Sequence, residues 1–234
     1  MIEERLTPPW QPWEAIPVAL GAILATFLVA IVMAALIGVG GVPFLLTALA
    51  FQISLAGFSA LWVAVRHRGW LPALGLRSGR PTSDTVVGAL AGVALFGLVA
   101  FLVLPFLSLL FEGVTGRPPS PINQLPVDFD NPVVVVLAVI AAIFGAPFGE
   151  EVFFRGFLYG SLRNRFGYWI AGAISSLFFG LFHATASWLL VPVMVVVGMG
   201  LAFLYERRGA LTAPIAAHAA FNVIGFTLIV LART

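Results

Sequence analysis

The chain of 234 residues contains no cysteine. This absence excludes disulfide bonds, thiolate metal sites and catalysis by a cysteine nucleophile. It leaves the compartment open, because a chain without cysteine is compatible with either side of a membrane.

Charged residues are also scarce, at 9% of the chain, whereas 61% of the residues are hydrophobic. Soluble domains carry roughly 25% charged and about 45–50% apolar residues. The mean hydropathy of +1.06 fits the same picture. So few charges cannot cover a soluble globule, so we expect the lipid bilayer to be the solvent. The formal net charge of +2 comes from arginines between apolar stretches, which indicates membrane topology and not binding to nucleic acid.

Long apolar stretches dominate what is present. A membrane-spanning helix needs about 20 mainly apolar residues. Seven stretches qualify, namely Ile16–Val39, Val42–Val65, Thr85–Phe111, Val133–Tyr159, Tyr168–Ala186, Trp188–Tyr205 and Leu211–Leu231. An eighth span would require the long third or fourth stretch to be split. The sequence therefore predicts an all-α, polytopic transmembrane helical bundle of seven to eight spans. We expect residues 1–234 to form one transmembrane domain, with N-terminal spans at 16–111 and a catalytic core at about 133–231.

The arginines between the spans predict the orientation. They lie between spans two and three, four and five, and six and seven, at Arg66, Arg68, Arg77, Arg80, Arg163, Arg165, Arg207 and Arg208. All three loops fall on one side if every span crosses, and the positive-inside rule makes that side cytoplasmic. We expect an integral protein of the cell's inner or plasma membrane, in contact with membrane lipids.

Ionisable residues inside apolar spans are costly and by default indicate function. The fourth span contains Glu150, Glu151 and Arg155. Glu151 and Arg155 are four residues apart and can pair on one helix face. Glu150 points about 100° away, which leaves its carboxylate available. Gly145, Pro147 and Gly149 weaken the helix before the pair, and a helix restarting there would hold both carboxylates in its first turn.

Two of the three histidines lie in later spans. His183 follows Phe179 by four residues in span five, and His218 precedes Asn222 by four residues in span seven. If the chain reverses at Arg163–Gly167, Glu150 and His183 lie about 20–25 Å from the bend at about 1.5 Å per residue. Asn222 and His218 lie roughly 17 and 10 Å from the loop before Leu211. We therefore expect these groups to converge near the middle of the bilayer, in a cavity open to the cytoplasm.

Together the three elements, Glu150-Glu151-x-x-x-Arg155, Phe179-x-x-x-His183 and His218-x-x-x-Asn222, resemble the signature of the CPBP family, also called the ABI family. That family includes type II CAAX prenyl endopeptidases and bacteriocin-processing or immunity proteins. The resemblance implies a membrane endopeptidase that cuts a membrane-tethered peptide or protein, prenylated in part of the family. It implies that Glu150 is the general base and that His183 positions the attacking water. His218 and Asn222 would form the oxyanion hole, Glu151 and Arg155 would support the helix, and Phe179 would pack.

Other interpretations of the same residues stay open. Glu150, His183 and His218 could bind zinc, but an oxyanion hole uses His218 and Asn222 together, so we expect no metal cofactor. His183 alone, or His218 with Asn222, could join helices by hydrogen bonds. The chain could also be a catalytically silent membrane scaffold or immunity protein. It could also be a transporter in which Glu150 carries a proton or cation.

Overall fold

The computed structural model describes residues 8–119, 127–184 and 187–232. Within these ranges the chain is helical and has no β-strand, which confirms the predicted all-α class. The predicted fifth span ends at Ala186, which lies outside the described residues. The α-helices are α1 Ala15–Ile37, α2 Gly41–Arg66, α3 Pro81–Leu98, α4 Leu104–Thr115, α5 Pro132–Val139, α6 Ala146–Glu151, α7 Gly160–Phe182, α8 Leu190–Arg208 and α9 Thr212–Leu231.

Within the described residues, six continuous helical segments are long and apolar enough to span a membrane. They are Pro12–Ile37, Gly41–Arg66, Pro81–Thr115, Pro132–Phe182, Leu190–Arg208 and Thr212–Leu231. Their outward faces carry large apolar side chains such as Phe27 and Leu28, each 64% exposed. Apolar surface of this extent suits lipid and not water, and the chain is a multi-pass membrane protein.

The count of six is lower than the predicted seven to eight, because predicted spans four and five form one helical segment of 51 residues. This segment is not straight. Gly167 interrupts it with φ 72° and ψ 176°, a backbone conformation that glycine adopts without steric cost. Beyond Gly167 the chain folds back, since the hydroxyl of Ser175 donates to the carbonyl of Phe154 at 2.9 Å. The predicted reversal at Arg163–Gly167 is therefore confirmed.

Two π-helical segments, Ile140–Gly145 and Val152–Tyr159, flank the short helix α6. They keep the chain helical through Gly145, Pro147 and Gly149, so no helix restarts there. The prediction that both glutamates lie in a first helical turn is wrong, because Glu150 and Glu151 are the last two residues of α6. Widened turns of this kind are frequent at functional sites, because they change the direction of the side chains that follow.

Helix α9 packs tightly against α3 through glycines. A Cβ at Gly88 would collide with the carbonyl oxygen of Ala213, and a Cβ at Gly92 with that of Ala217. Gly97 on the same helix differs, because no described atom lies within 4 Å of a Cβ built there. The N-terminal half thus supports the helix that carries His218.

Polar contacts tie the helices together at the arginine-rich ends. Arg163 of α7 pairs with Glu206 of α8 at 3.0 Å, and Arg208 of α8 pairs with Asp84 of α3. Buried Glu14 accepts a hydrogen bond of 2.7 Å from the indole of Trp62. These bonds hold the helix ends in place around the apolar interior.

Candidate active site

Two adjacent carboxylates lie in the apolar interior of the bundle. The side chain of Glu150 is 3% exposed and that of Glu151 is fully buried. Burial of a charge in such surroundings costs free energy unless the charge is paired. What each carboxylate contacts therefore decides what it can do.

Glu151 is paired on two sides. Its Oε1 accepts a hydrogen bond of 2.8 Å from Arg155 Nη1, the contact that their spacing predicts, and lies 3.0 Å from His218 Nδ1. Because an ionised carboxylate only accepts hydrogen bonds, Nδ1 of His218 carries the proton in this contact. Two donors therefore compensate the charge of Glu151, and α6 is joined to α9.

Arg155 is fully buried as well. Its Nη2 donates to the carbonyl of Gly198 on α8 at 3.3 Å, and its guanidinium lies 4.4 Å from the ring centroid of Phe179. A cation over an aromatic face is stabilised by the ring quadrupole. Phe179 therefore packs against the charged group, and its ring also meets that of His218 edge to face at 5.8 Å.

Glu150 has different surroundings. Its Oε1 accepts a hydrogen bond of 2.9 Å from the side-chain amide of Gln52 on α2. Its Oε2 has no hydrogen-bond partner among the described residues, although it is buried. Nε2 of His218 lies 4.0 Å from that oxygen. One oxygen of Glu150 is thus fixed, and the other is available to a further group.

Asn222 lies one helical turn beyond His218 and donates from Nδ2 to the carbonyl of Ala142 at 2.7 Å. The helix itself explains why this carbonyl is free. In the π-helical turn the N–H of Ala146 bonds to the carbonyl of Ala141, five residues earlier. The next N–H in this pattern would reach Ala142, but residue 147 is a proline, which has no N–H. Asn222 replaces the missing donor.

His183 is half-buried at the end of α7. Its Nδ1 lies 2.8 Å from the carbonyl oxygen of Phe179, so Nδ1 carries a proton and the uncharged ring leaves a lone pair on Nε2. Its ring centroid is 4.8 Å from that of Phe179. Among the described residues no hydrogen bond or ion pair joins His183 to either glutamate. The structure therefore brings Glu150, Glu151, Arg155 and His218 into one charged cluster, and His183 contacts that cluster through the ring of Phe179.

Sequence reasoning missed Gln52. The signal available was one amide side chain in the otherwise apolar second span. Since nothing local pairs with it, its partner could only be found from the packing of α2 against α6.

A metal site is not preformed in the described parts of the chain. No group of three or more His, Cys, Asp or Glu side chains there is placed to hold a metal ion. The set considered for zinc was Glu150, His183 and His218. Among the described residues His183 forms no hydrogen bond or ion pair with either of the other two.

Comparison with known proteins places the second half of the chain. Residues 132–224 match the model of the family described as Type II CAAX prenyl endopeptidase Rce1-like. The chain is similar to the Bacillus subtilis (strain 168) protein named "Putative membrane peptidase YdiL", with 36% identity over 89 residues, which is 38% of this chain and 35% of that protein. It is also similar to the "UPF0177 protein YxdF" of Lactococcus lactis subsp. lactis (strain IL1403), with 31% identity over 88 residues, 38% of this chain and 48% of the relative. No solved structure matches the chain.

The aligned region spans less than half the length of either curated relative. All three motifs, from Glu150 to Asn222, lie within residues 132–224, which the family model covers. Residues 132–224 are therefore similar to the Rce1-like endopeptidases, in agreement with the resemblance that the three motifs indicate.

Proposed function

We propose that this chain is an intramembrane endopeptidase that cuts a membrane-tethered peptide with a water molecule activated by Glu150. The observation that carries the proposal is the different environment of the two buried glutamates. Oε1 of Glu151 is paired with Arg155 and His218, whereas the hydrogen-bond partner of Glu150 is the neutral amide of Gln52. Oε2 of each carboxylate has no hydrogen-bond partner among the described residues. Glu150, which is not tied up in the pair with Arg155, can therefore act as a base while Glu151 holds the site together.

In the proposed reaction Oε2 of Glu150 takes a proton from water as the water oxygen attacks the peptide carbonyl carbon. A carbon–oxygen bond forms and the carbonyl becomes an oxyanion. The oxyanion then collapses, the carbon–nitrogen bond breaks, and Glu150 passes the proton to the leaving amine. General base catalysis of this kind contributes about 10²–10⁴-fold in rate.

His218 and Asn222 would stabilise the oxyanion. Nδ1 of His218 is held by Glu151, so the nitrogen that faces the substrate is Nε2, which donates when the ring carries both protons. The amide of Asn222 has two N–H groups, and its bond to Ala142 needs one of them. Donors aimed at developing negative charge contribute about 10²–10³-fold each.

His183 would position the attacking water. Its Nδ1 is fixed by the carbonyl of Phe179, so Nε2 can accept a hydrogen bond from water. The ring of Phe179 contacts the rings of both His183 and His218. The proposed role therefore requires a water molecule within reach of both Nε2 of His183 and Oε2 of Glu150.

We propose a reaction without a metal, because Nδ1 of His218 already donates to Glu151 and the proposed oxyanion hole uses His218 together with Asn222. The test is the cleavage rate with and without a strong chelator. A rate that falls with chelator and returns with added zinc would assign Glu150, His183 and His218 to a metal site.

The proposed substrate is a peptide tethered to the membrane, cut on the cytoplasmic side that the arginine-rich loops define. The family description names CAAX prenyl endopeptidases, so prenylated peptides are the first class to test. The location in the cell's inner or plasma membrane belongs to the same proposal.

The test uses the purified full chain in liposomes with paired peptides that differ only in a farnesyl or acyl anchor. Products are identified by mass spectrometry, with Glu150→Gln as the matched control. We expect anchored peptides to be cut at one bond by the wild-type chain and left intact by the variant. Equal cleavage by both chains would exclude Glu150 as the base. No cleavage by a folded wild-type chain across the panel would favour a scaffold.

A further inference from the structure

Gln52 is a polar side chain in a span where every neighbour is apolar or small. It lies in the middle of α2, and its closest polar partner is Glu150, 98 positions later in the chain. The bond from Nε2 to Oε1 of Glu150 measures 2.9 Å. An amide in this position costs free energy in lipid unless it is used, so its place opposite the candidate base needs a physical reason.

The backbones of the two helices are shaped to bring these side chains together. A Cβ at Gly149 would collide with the backbone carbonyl of Gln52. A Cβ at Gly145 would lie 3.1 Å from Leu49 and 3.8 Å from the Cβ of Gln52. Two glycines four residues apart therefore form the surface on which α2 rests, as small residues do at close helix contacts in membranes. The contact places Gln52 opposite Gly149, the residue that precedes Glu150.

The amide also determines how the carboxylate is turned. With Oε1 held by Gln52, the other oxygen of Glu150 is directed towards the 4.0 Å gap in front of His218 Nε2. Rotation of the carboxylate would exchange the two oxygens only by breaking the bond to Gln52. The amide of Gln52 must present its N–H to Glu150, because its own oxygen would repel a carboxylate oxygen.

We propose that Gln52 is a positioning residue of the reaction, which holds Oε1 of Glu150 so that Oε2 faces the attacking water. The proposal rests on the proposed function of Glu150. It gives the N-terminal half of the chain a part in the chemistry, although the family model covers only residues 132–224. Groups that orient a reacting group without touching the substrate commonly change rates by about 10–100-fold.

The test compares the wild-type chain with Gln52→Met, whose side chain has a similar length and no N–H donor. Ser54→Ala is the matched control. Ser54 is a polar residue of the same helix, and it forms no hydrogen bond with the charged cluster among the described residues. We expect Gln52→Met to lower kcat on an anchored peptide by about 10–100-fold. KM should stay within about twofold, because the substrate does not touch Gln52. Rates are compared below the melting temperature of each variant, so that lost stability is not read as lost kcat. Gln52→Leu serves as a second variant if Gln52→Met folds poorly.

A second measurement does not need a substrate. Infrared difference spectra of the wild-type chain minus Glu150→Gln isolate the carboxylate stretching band of Glu150. Loss of the Gln52 donor should shift this band, and Ser54→Ala should leave it in place. An unshifted band together with unchanged kcat would overturn the inference. If the band shifts while the wild-type chain cuts no peptide, the proposed peptidase function fails and the contact between Gln52 and Glu150 stands.

Discussion

At the scale of single residues, Glu150 and Glu151 are neighbours in sequence but have different surroundings. Glu151 compensates the fully buried Arg155 at 2.8 Å, whereas Glu150 accepts only a neutral amide bond. A buried ion pair that loses one partner leaves an uncompensated charge, at a cost of about 3–5 kcal/mol. The two glutamates should therefore respond differently to the same substitution.

We expect Glu151→Gln to destabilise the protein and Glu150→Gln to leave its stability almost unchanged while abolishing cleavage. Thermal unfolding in detergent measures the first effect and initial cleavage rates measure the second. Because the orphan charge of Arg155 causes the destabilisation, Arg155→Met in the Glu151→Gln background should recover part of the stability. Equal melting temperatures for both single variants would contradict this assignment.

The bond from Asn222 to Ala142 predicts a dependence on Pro147. Asn222→Ala removes the replacement donor and leaves a carbonyl unsatisfied, at a cost of about 1–3 kcal/mol. Pro147→Ala supplies a backbone N–H, so it should recover stability in the Asn222→Ala background without recovering cleavage. Melting temperatures of the single and double variants form the test. Additive losses in the double variant would show that Pro147 is unrelated to the role of Asn222.

Some contacts of the charged cluster could be predicted from sequence and others could not. The pair of Glu151 and Arg155 follows from a spacing of four residues within one helix, and the structure has it. The partner of Asn222 depends on a π-helical turn combined with a proline, and such turns leave no simple sequence pattern. The partner of Gln52 depends on packing between distant helices.

At the scale of helices, the glycines of α3 decide how closely α9 approaches. Gly92→Ala would place a methyl group against the carbonyl of Ala217, next to His218, whereas Gly97 has open space. Within a helix alanine is favoured over glycine by about 1 kcal/mol at either position. The two substitutions therefore differ only in the space available for the added methyl group. We expect Gly92→Ala to lower both the melting temperature and kcat, because α9 must move. Gly97→Ala is the matched control and should be neutral or stabilising, and equal effects of the two variants would contradict the packing.

The helical hairpin was the most predictable element, because arginines and a glycine mark its bend at 163–167. The helix around the glutamates was less predictable. Gly145, Pro147 and Gly149 favoured a helix start, but π-helical turns absorb the proline and keep the chain helical. The glycines and the proline thus indicated that the helix is irregular here, but they did not indicate that the irregularity is a π-helical turn.

At the scale of the whole molecule, the absence of cysteine makes the proposed orientation easy to test. Gly79→Cys lies in the loop between α2 and α3, and Arg117→Cys follows α4 towards the other side. Both positions are exposed. In intact cells an impermeant maleimide should label Arg117→Cys and leave Gly79→Cys unlabelled until the membrane is opened. The reverse pattern would contradict a cytoplasmic site.

Composition alone was sufficient to predict a membrane helical bundle, because so few charges leave no other solvent. It was not sufficient to predict that α2 and α3 support the site, since those contacts depend on backbone approach at Gly149, Gly88 and Gly92. The first spans carry no motif, and their contribution appears only in three dimensions.

The central claim is that Glu150 activates water while Glu151 holds the site together. The most direct measurement is the initial rate of cleavage of one farnesylated peptide in liposomes, by the wild-type chain and Glu150→Gln, each with and without a strong chelator. The account predicts a loss of at least about 10²-fold in Glu150→Gln and no effect of the chelator on the wild-type chain. Comparable rates for the two chains would contradict the claim.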